Sequence, residues 1–138
     1  MVAALLYYKA LDELEEGIYI LDANLTVQFI NKAGERILGI NRADVINKNS
    51  DEYFGYPPHE VRLVERAIEE ETELVSDILP YKWGSYDKFM RVQTKLLRDG
   101  EEVIGAMAIF TEITDSIKLL PDGLLQKITA KEITKLIN

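Results

Sequence analysis

The chain has no cysteine and only one histidine in 138 residues. The first absence removes disulfides, thiolate metal sites and thiol nucleophiles together. The second leaves aspartate and glutamate as the only plentiful acid–base groups. Long hydrophobic runs are also missing. The apolar stretch Val2 to Tyr8 is short, has no flanking basic residues and is interrupted by Lys9, Asp12 and Glu13. It reads as neither a signal peptide nor a membrane span. Basic residues are outnumbered, 16 against 24 acidic, and a formal charge of −8 has the wrong sign for a phosphate-backbone binder. No phosphate loop is present, because Gly34, Gly39 and Gly55 lack a following Lys-Ser/Thr. A cysteine-free chain fits a reducing compartment, so the expected location is cytoplasmic.

What is present suits one domain. A hydrophobic content of 47% can fill a single core, and charges spread along the chain argue against global disorder. Residues 2 to 15 read as an amphipathic helix, with Val2, Leu5, Tyr8, Leu11 and Leu14 on one face and Gly17 as its C-cap. Gly17 to Asp22 and Thr26 to Ile30 are short β-rich runs around an Ala23-Asn24 turn. Asn31 can cap a helix through Leu38 that stops at Gly39, and Asn41 caps a further short turn. Pro57-Pro58 pre-sets another helix. Val61, Leu63, Val64, Ala67 and Ile68 form its apolar side, and Arg62, Glu65, Arg66 and Glu69 its wet side. Beyond Leu74 the pattern alternates. Leu74 to Trp83 contains Pro80 and suits an edge strand. In the next strand Met90, Val92, Thr94 and Leu96 point one way, and Asp99-Gly100 is a hairpin turn.

The run Val103 to Ile113 is apolar on both sides. Val103, Met107, Ile109 and Ile113 share one face, and Ile104, Ala106, Ala108 and Phe110 the other. Such a strand is expected to be central and covered twice. The helices between residues 31 and 70 would cover the first face. The N-terminal helix, through Leu5, Tyr8 and Leu11, would cover the second, either in cis or from a second subunit. After Thr114 a short helical run is expected to stop at Pro121-Asp122-Gly123. A capped helix then runs from Thr129 to Ile137, a linker in preference to the opening of a helix-turn-helix.

Three segments carry a resemblance. They are Leu14-Glu15-Glu16-Gly17-Ile18-Tyr19-Ile20-Leu21-Asp22, Phe29-Ile30-Asn31-Lys32-Ala33-Gly34-Glu35-Arg36-Ile37-Leu38-Gly39, and Phe110-Thr111-Glu112-Ile113-Thr114-Asp115. In this order and spacing the chain resembles a PAS sensor domain, of the kind found in bacterial histidine kinases and transcription regulators. The resemblance implies an α+β fold with a five-stranded antiparallel sheet in the order 2-1-5-4-3. Helices lie on one face and further helices flank both ends. It divides the chain into an N-terminal helix (1–16), a PAS-like core (17–115) and linker helices (116–138) leading toward an output domain. Where the family usually ends in Asp-Ile-Thr, this chain has Glu112-Ile113-Thr114, and Asn47 stands where glycine is frequent.

The resemblance also suggests where chemistry would sit. A ligand pocket would be lined by Phe29, Ile37, Val64, Ile68, Met90, Thr94, Met107, Ile109 and Thr111, although the same residues suit an ordinary core. Glu112, Thr114 and Asp115 would relay a change from the last strand to the output domain. Some family members hold haem through a histidine, which makes His59 a conceivable ligand. A solvent-facing residue in the first turn of its helix is the preferred reading. Cysteine-linked chromophores are excluded, and non-covalent flavin against Tyr81 or Trp83 is disfavoured against plain packing. No catalytic set is found. The Glu69-Glu70-Glu71 run reads as a solvated helix end. The expected function is a sensory module that binds a small ligand or partner, dimerises, and reports to the rest of a larger protein. A ligand-free dimerisation scaffold is the alternative, and a small α+β acid–base enzyme a weaker third.

Overall fold

Asp22 starts the fold by closing a hairpin on itself. Its carboxylate accepts from the amides of Asn24 at 2.9 Å and Thr26 at 3.0 Å. Leu25 turns the chain at φ 64°, so β1 (Gly17–Asp22) meets β2 (Val27–Ile30) antiparallel. These observations come from a computed structural model of the chain that describes residues 2–53, 62–80, 89–113, 117–119 and 125–127. An N-terminal helix α1 (Val2–Asp12) precedes the hairpin.

Helix α2 (Lys32–Leu38) begins and ends as its sequence signals require. The Asn31 side chain accepts from the Gly34 amide, and Gly39 closes the helix at φ 70°. Asn41 caps the short α3 (Arg42–Val45), and Asn47 adopts the left-handed conformation at φ 66°. Then follow α4 (Ser50–Tyr53), α5 (Leu63–Glu70), β3 (Val75–Pro80), β4 (Phe89–Asp99) and β5 (Glu102–Glu112). The five strands form one antiparallel sheet in the order β2-β1-β5-β4-β3, as the resemblance implied. Proline in β3 agrees with its edge position.

The last long strand is central, between β1 and β4, but its two faces are the reverse of those expected. Ala106, Ala108 and Phe110 lie opposite Leu96, Thr94 and Val92, and all six belong to the helix-facing layer. There they pack with Tyr19, Leu21, Ile37, Leu63 and Val64. Met107, Ile109 and Thr111 lie opposite Lys95, Gln93 and Arg91 on the other face. The cause is one residue. Arg98 pairs with Val103 but Leu97 pairs with Gly105, which leaves Ile104 as a bulge. A one-residue slip transfers every following side chain to the opposite face.

Three further expectations are corrected. Helix α1 stops at Asp12, and Gly17 is not its cap but the first residue of β1, outside the left-handed region. A Cβ at Gly17 would run into the Phe110 ring, which lies across it from the paired strand. Arg62 and Glu65 are not on a wet face of α5, since their side chains are 10% and 6% exposed. The helical run expected after Thr114 is replaced by β6 (Ile117–Leu119) paired antiparallel with β7 (Leu125–Lys127). The Pro57 helix start, Pro121-Asp122-Gly123 and the Thr129–Ile137 helix lie outside the described residues.

Candidate functional site

Thr94 aside, polar groups gather in the helix-facing layer where β1, α4 and α5 meet. There Tyr19, Ser50, Asp51, Arg62 and Glu65 converge. Arg62 bridges two carboxylates, Asp51 at 2.6 Å and Glu65 at 3.0 Å, the latter an ion pair without hydrogen-bond geometry at Nε. It also donates to the Ser50 hydroxyl at 3.4 Å. Ser50 is fully buried and Glu65 nearly so. Burial pushes the Glu65 carboxyl up from 4.5, and Asp51 adds to this, against the pull of Arg62 and a backbone hydrogen bond. Burial likewise raises the Tyr19 phenol, helped by the Glu65 charge, while Ser50 and Arg62 pull it down. A charged pair in this position can anchor a polar group in an otherwise greasy interior. Its sequence signal was the Arg62–Glu65 spacing of one helical turn, which an exposed pair would share.

The structure separates the nine predicted pocket residues into two groups. Ile37, Val64, Ile68, Met90 and Thr94 are in the helix-facing layer or packed against it. Phe29, Met107, Ile109 and Thr111 belong to the opposite face, because Phe29 pairs with Ile20, which in turn pairs with Met107. Thr94 has a structural task. Its hydroxyl donates to the Leu74 carbonyl at 2.8 Å and accepts from the Leu74 amide, pinning the α5–β3 connection to β4. That hydroxyl is therefore committed.

Predicted residues also meet at a cleft of about 510 Å³ at the end of the sheet. Ile37, Ile109, Thr111 and Glu112 line it, with Glu15, Glu16, Arg36, Arg91 and Gln93. Glu112, read from the sequence as a relay residue, is exposed here and pairs with Met90. Thr114, Asp115, His59, Tyr81 and Trp83 lie outside the described residues.

The residues expected to cover the open face are also divided. Ala106, Ala108 and Phe110 are buried under the helices, and Ile104 is 47% exposed at the bulge. Of the helix residues, Leu5 is 57% exposed, Tyr8 is 49% exposed and Leu11 is half-buried. Tyr8 stacks on Phe29, ring centroids 5.0 Å apart and planes 12° from parallel, so α1 meets the β2 margin of that face through this pair.

This topology and helical layer define a class, and the sequence confirms it. The family model for the PAS fold matches residues 11–118, and the chain belongs to that family. A search of characterised proteins finds none that matches. Among solved structures, a PAS domain from Colwellia psychrerythraea is 19% identical with a TM-score of 0.61, over 82% of this chain and 98% of that one. The PAS domain of histidine kinase ThkA is 17% identical with a TM-score of 0.54, over 70% and 98%. An RNA-binding light-oxygen-voltage receptor is 17% identical with a TM-score of 0.64, over 83% of this chain but only 34% of the receptor chain. Among the described residues, no helix is long and apolar enough to cross a membrane.

Proposed function

We propose that the chain is the sensory input module of a larger cytoplasmic signalling protein, such as a histidine kinase or a transcription regulator. It works as a homodimer and passes a change in its helical layer to an output domain. The observation that carries this reading is the position of β5. One face of this central strand is packed against α5 through Ala106, Ala108 and Phe110, and its end, Glu112, lines the open cleft. A shift of the helices over a close-packed face moves the strand beneath them, and Glu112 is where that movement emerges. Met90, Ile68 and Val64, with the Arg62–Glu65 pair beside them, form the interior a small ligand would enter. A ligand acts as a signal only if it binds two packings unequally.

Native mass spectrometry of the freshly purified protein, with its absorption spectrum, tests the sensing half. A bound small molecule supports it, and an empty protein counts against it. Substituting Glu112 in the full-length protein tests the relay, which fails if regulation is unchanged. The alternative is a ligand-free dimerisation scaffold. It is favoured by the exposure of Leu5, Leu6 and Tyr7 on α1, at 57%, 64% and 66%. An empty but stable dimer would select it.

A further inference from the structure

Helix α1 is apolar yet does not bury its apolar side chains. Ala3 to Lys9 are all exposed. The contacts that hold it come from one face of its last turn, Tyr8, Leu11 and Asp12, and those of Leu11 and Asp12 are polar. The Asp12 carboxylate, 6% exposed, accepts from both terminal nitrogens of Arg42 at 2.9 and 3.1 Å and from the Lys32 amide at 3.0 Å. The Leu11 carbonyl accepts from the Asn31 side chain at 2.8 Å. Arg42 is the first residue of α3. It also donates to the Ile30 carbonyl at 3.2 Å, sits 3.7 Å from Glu35 of α2, and lies over the Phe29 ring that carries Tyr8.

Asn31 makes the attachment directional. It is fully buried and uses its whole side chain. Its oxygen accepts from the Ile18 and Gly34 amides, each at 2.8 Å, and its nitrogen donates to Leu11 and to Glu16 at 3.0 Å. The root of α1 is thus bonded to the start of α2 and to α3, not to the sheet's open face. Hydrogen bonds of fixed geometry dictate orientation in a way that apolar contact does not.

From this geometry we propose that Asp12 and Arg42 form a latch that makes α1 follow α2 and α3. Arg42 is the positioning residue that sets the direction in which the exposed Leu5, Leu6 and Tyr7 are presented. Opening the latch frees α1 while the sheet stays folded, because the five strands are paired with one another and not with that helix. The use of the latch in signalling rests on the sensory reading above. The latch itself does not.

Hydrogen exchange on the 138-residue chain, with trypsin cleavage at the exposed Lys9, tests it. In Asp12→Asn and Arg42→Ala the amides of α1 should exchange about tenfold faster and cleavage after Lys9 should accelerate similarly, while β1 and β5 keep their protection. The exchanged pair Asp12→Arg with Arg42→Asp should recover part of the protection. Unchanged α1 protection in both single variants overturns the latch. Equal loss in β5 also overturns it, since that would show only a structural support. Arg42→Lys keeps the charge without the two-pronged contact and should fall between, which keeps the test decisive if Arg42→Ala does not fold. In the full-length protein Asp12→Asn should alter regulation. If it does not while Glu112 substitution does, the coupling is lost and the sensory reading stands.

Discussion

Thr94 and Arg62 show how little a residue's type says about its task. A threonine on the inner side of a strand could have been a ligand anchor, but its hydroxyl is spent on both backbone groups of Leu74. Thr94→Val keeps the shape and strands the Leu74 amide, while the Leu74 carbonyl still accepts from the residue-94 amide. It should cost about 1–3 kcal/mol in urea unfolding, and a change within error would show that water replaces the hydroxyl. Arg62 and Glu65 could have been an ordinary surface pair one turn apart, yet they are the buried ions of the interior. Their type and spacing are compatible with either environment. Only the approach of Tyr19 and Ser50 from other elements closes it.

At the level of elements, hydrogen-bonding cap residues were reliable guides, whereas Gly17, expected to cap α1, opens β1 instead. Asn31, Gly39 and Asn41 delimit α2 and α3 where the pattern placed them, because a cap is satisfied by its own neighbours. The facing of β5 was not legible, since a strand apolar on both sides contains no internal marker of which side is inner. Small Ala106 and Ala108 under α5, with the bulkier Met107 and Ile109 left on the open face, emerge from the register set by the Ile104 bulge. Deleting Ile104 removes the bulge yet leaves Leu97 opposite Gly105 and Thr94 opposite Ala108, so the fold should survive with native-like amide dispersion in NMR spectra. Collapsed dispersion would mean that the bulge itself is needed, and not only the register beyond it. Gly105 guards the same place. A Cβ there would collide with the Leu21 carbonyl of β1, a backbone atom that cannot swing aside. Gly105→Ala should therefore cost about 1–3 kcal/mol by thermal or urea melting, and a neutral result would mean that β1 and β5 can part at no cost.

Across the whole molecule, two carboxylates should shape stability against pH in opposite senses. Burial alone would raise Asp12, but the Arg42 hydrogen bonds and charge, with the Lys32 amide and charge, hold it below 3.8. Its contribution is complete above 3.8 and fades as pH falls through the lowered native value. Glu65 is raised above 4.5, so stability is lost as pH climbs from there through its native value. Urea melts at pH 5 and pH 8 should therefore show Glu65→Gln gaining on the natural protein as pH rises, and parallel behaviour would exclude the shift. Asp12→Asn should flatten only the acid limb. The sheet order, the central place of β5 and the caps of α2 and α3 were legible in the chain alone, because each follows from local bonding, hydrophobic pattern or family likeness. The root of α1 on Arg42, the buried Arg62–Glu65 pair and the inner side of β5 were decided only in three dimensions. Each depends on partners distant along the chain or on a one-residue bulge, and neither periodicity nor composition encodes such meetings.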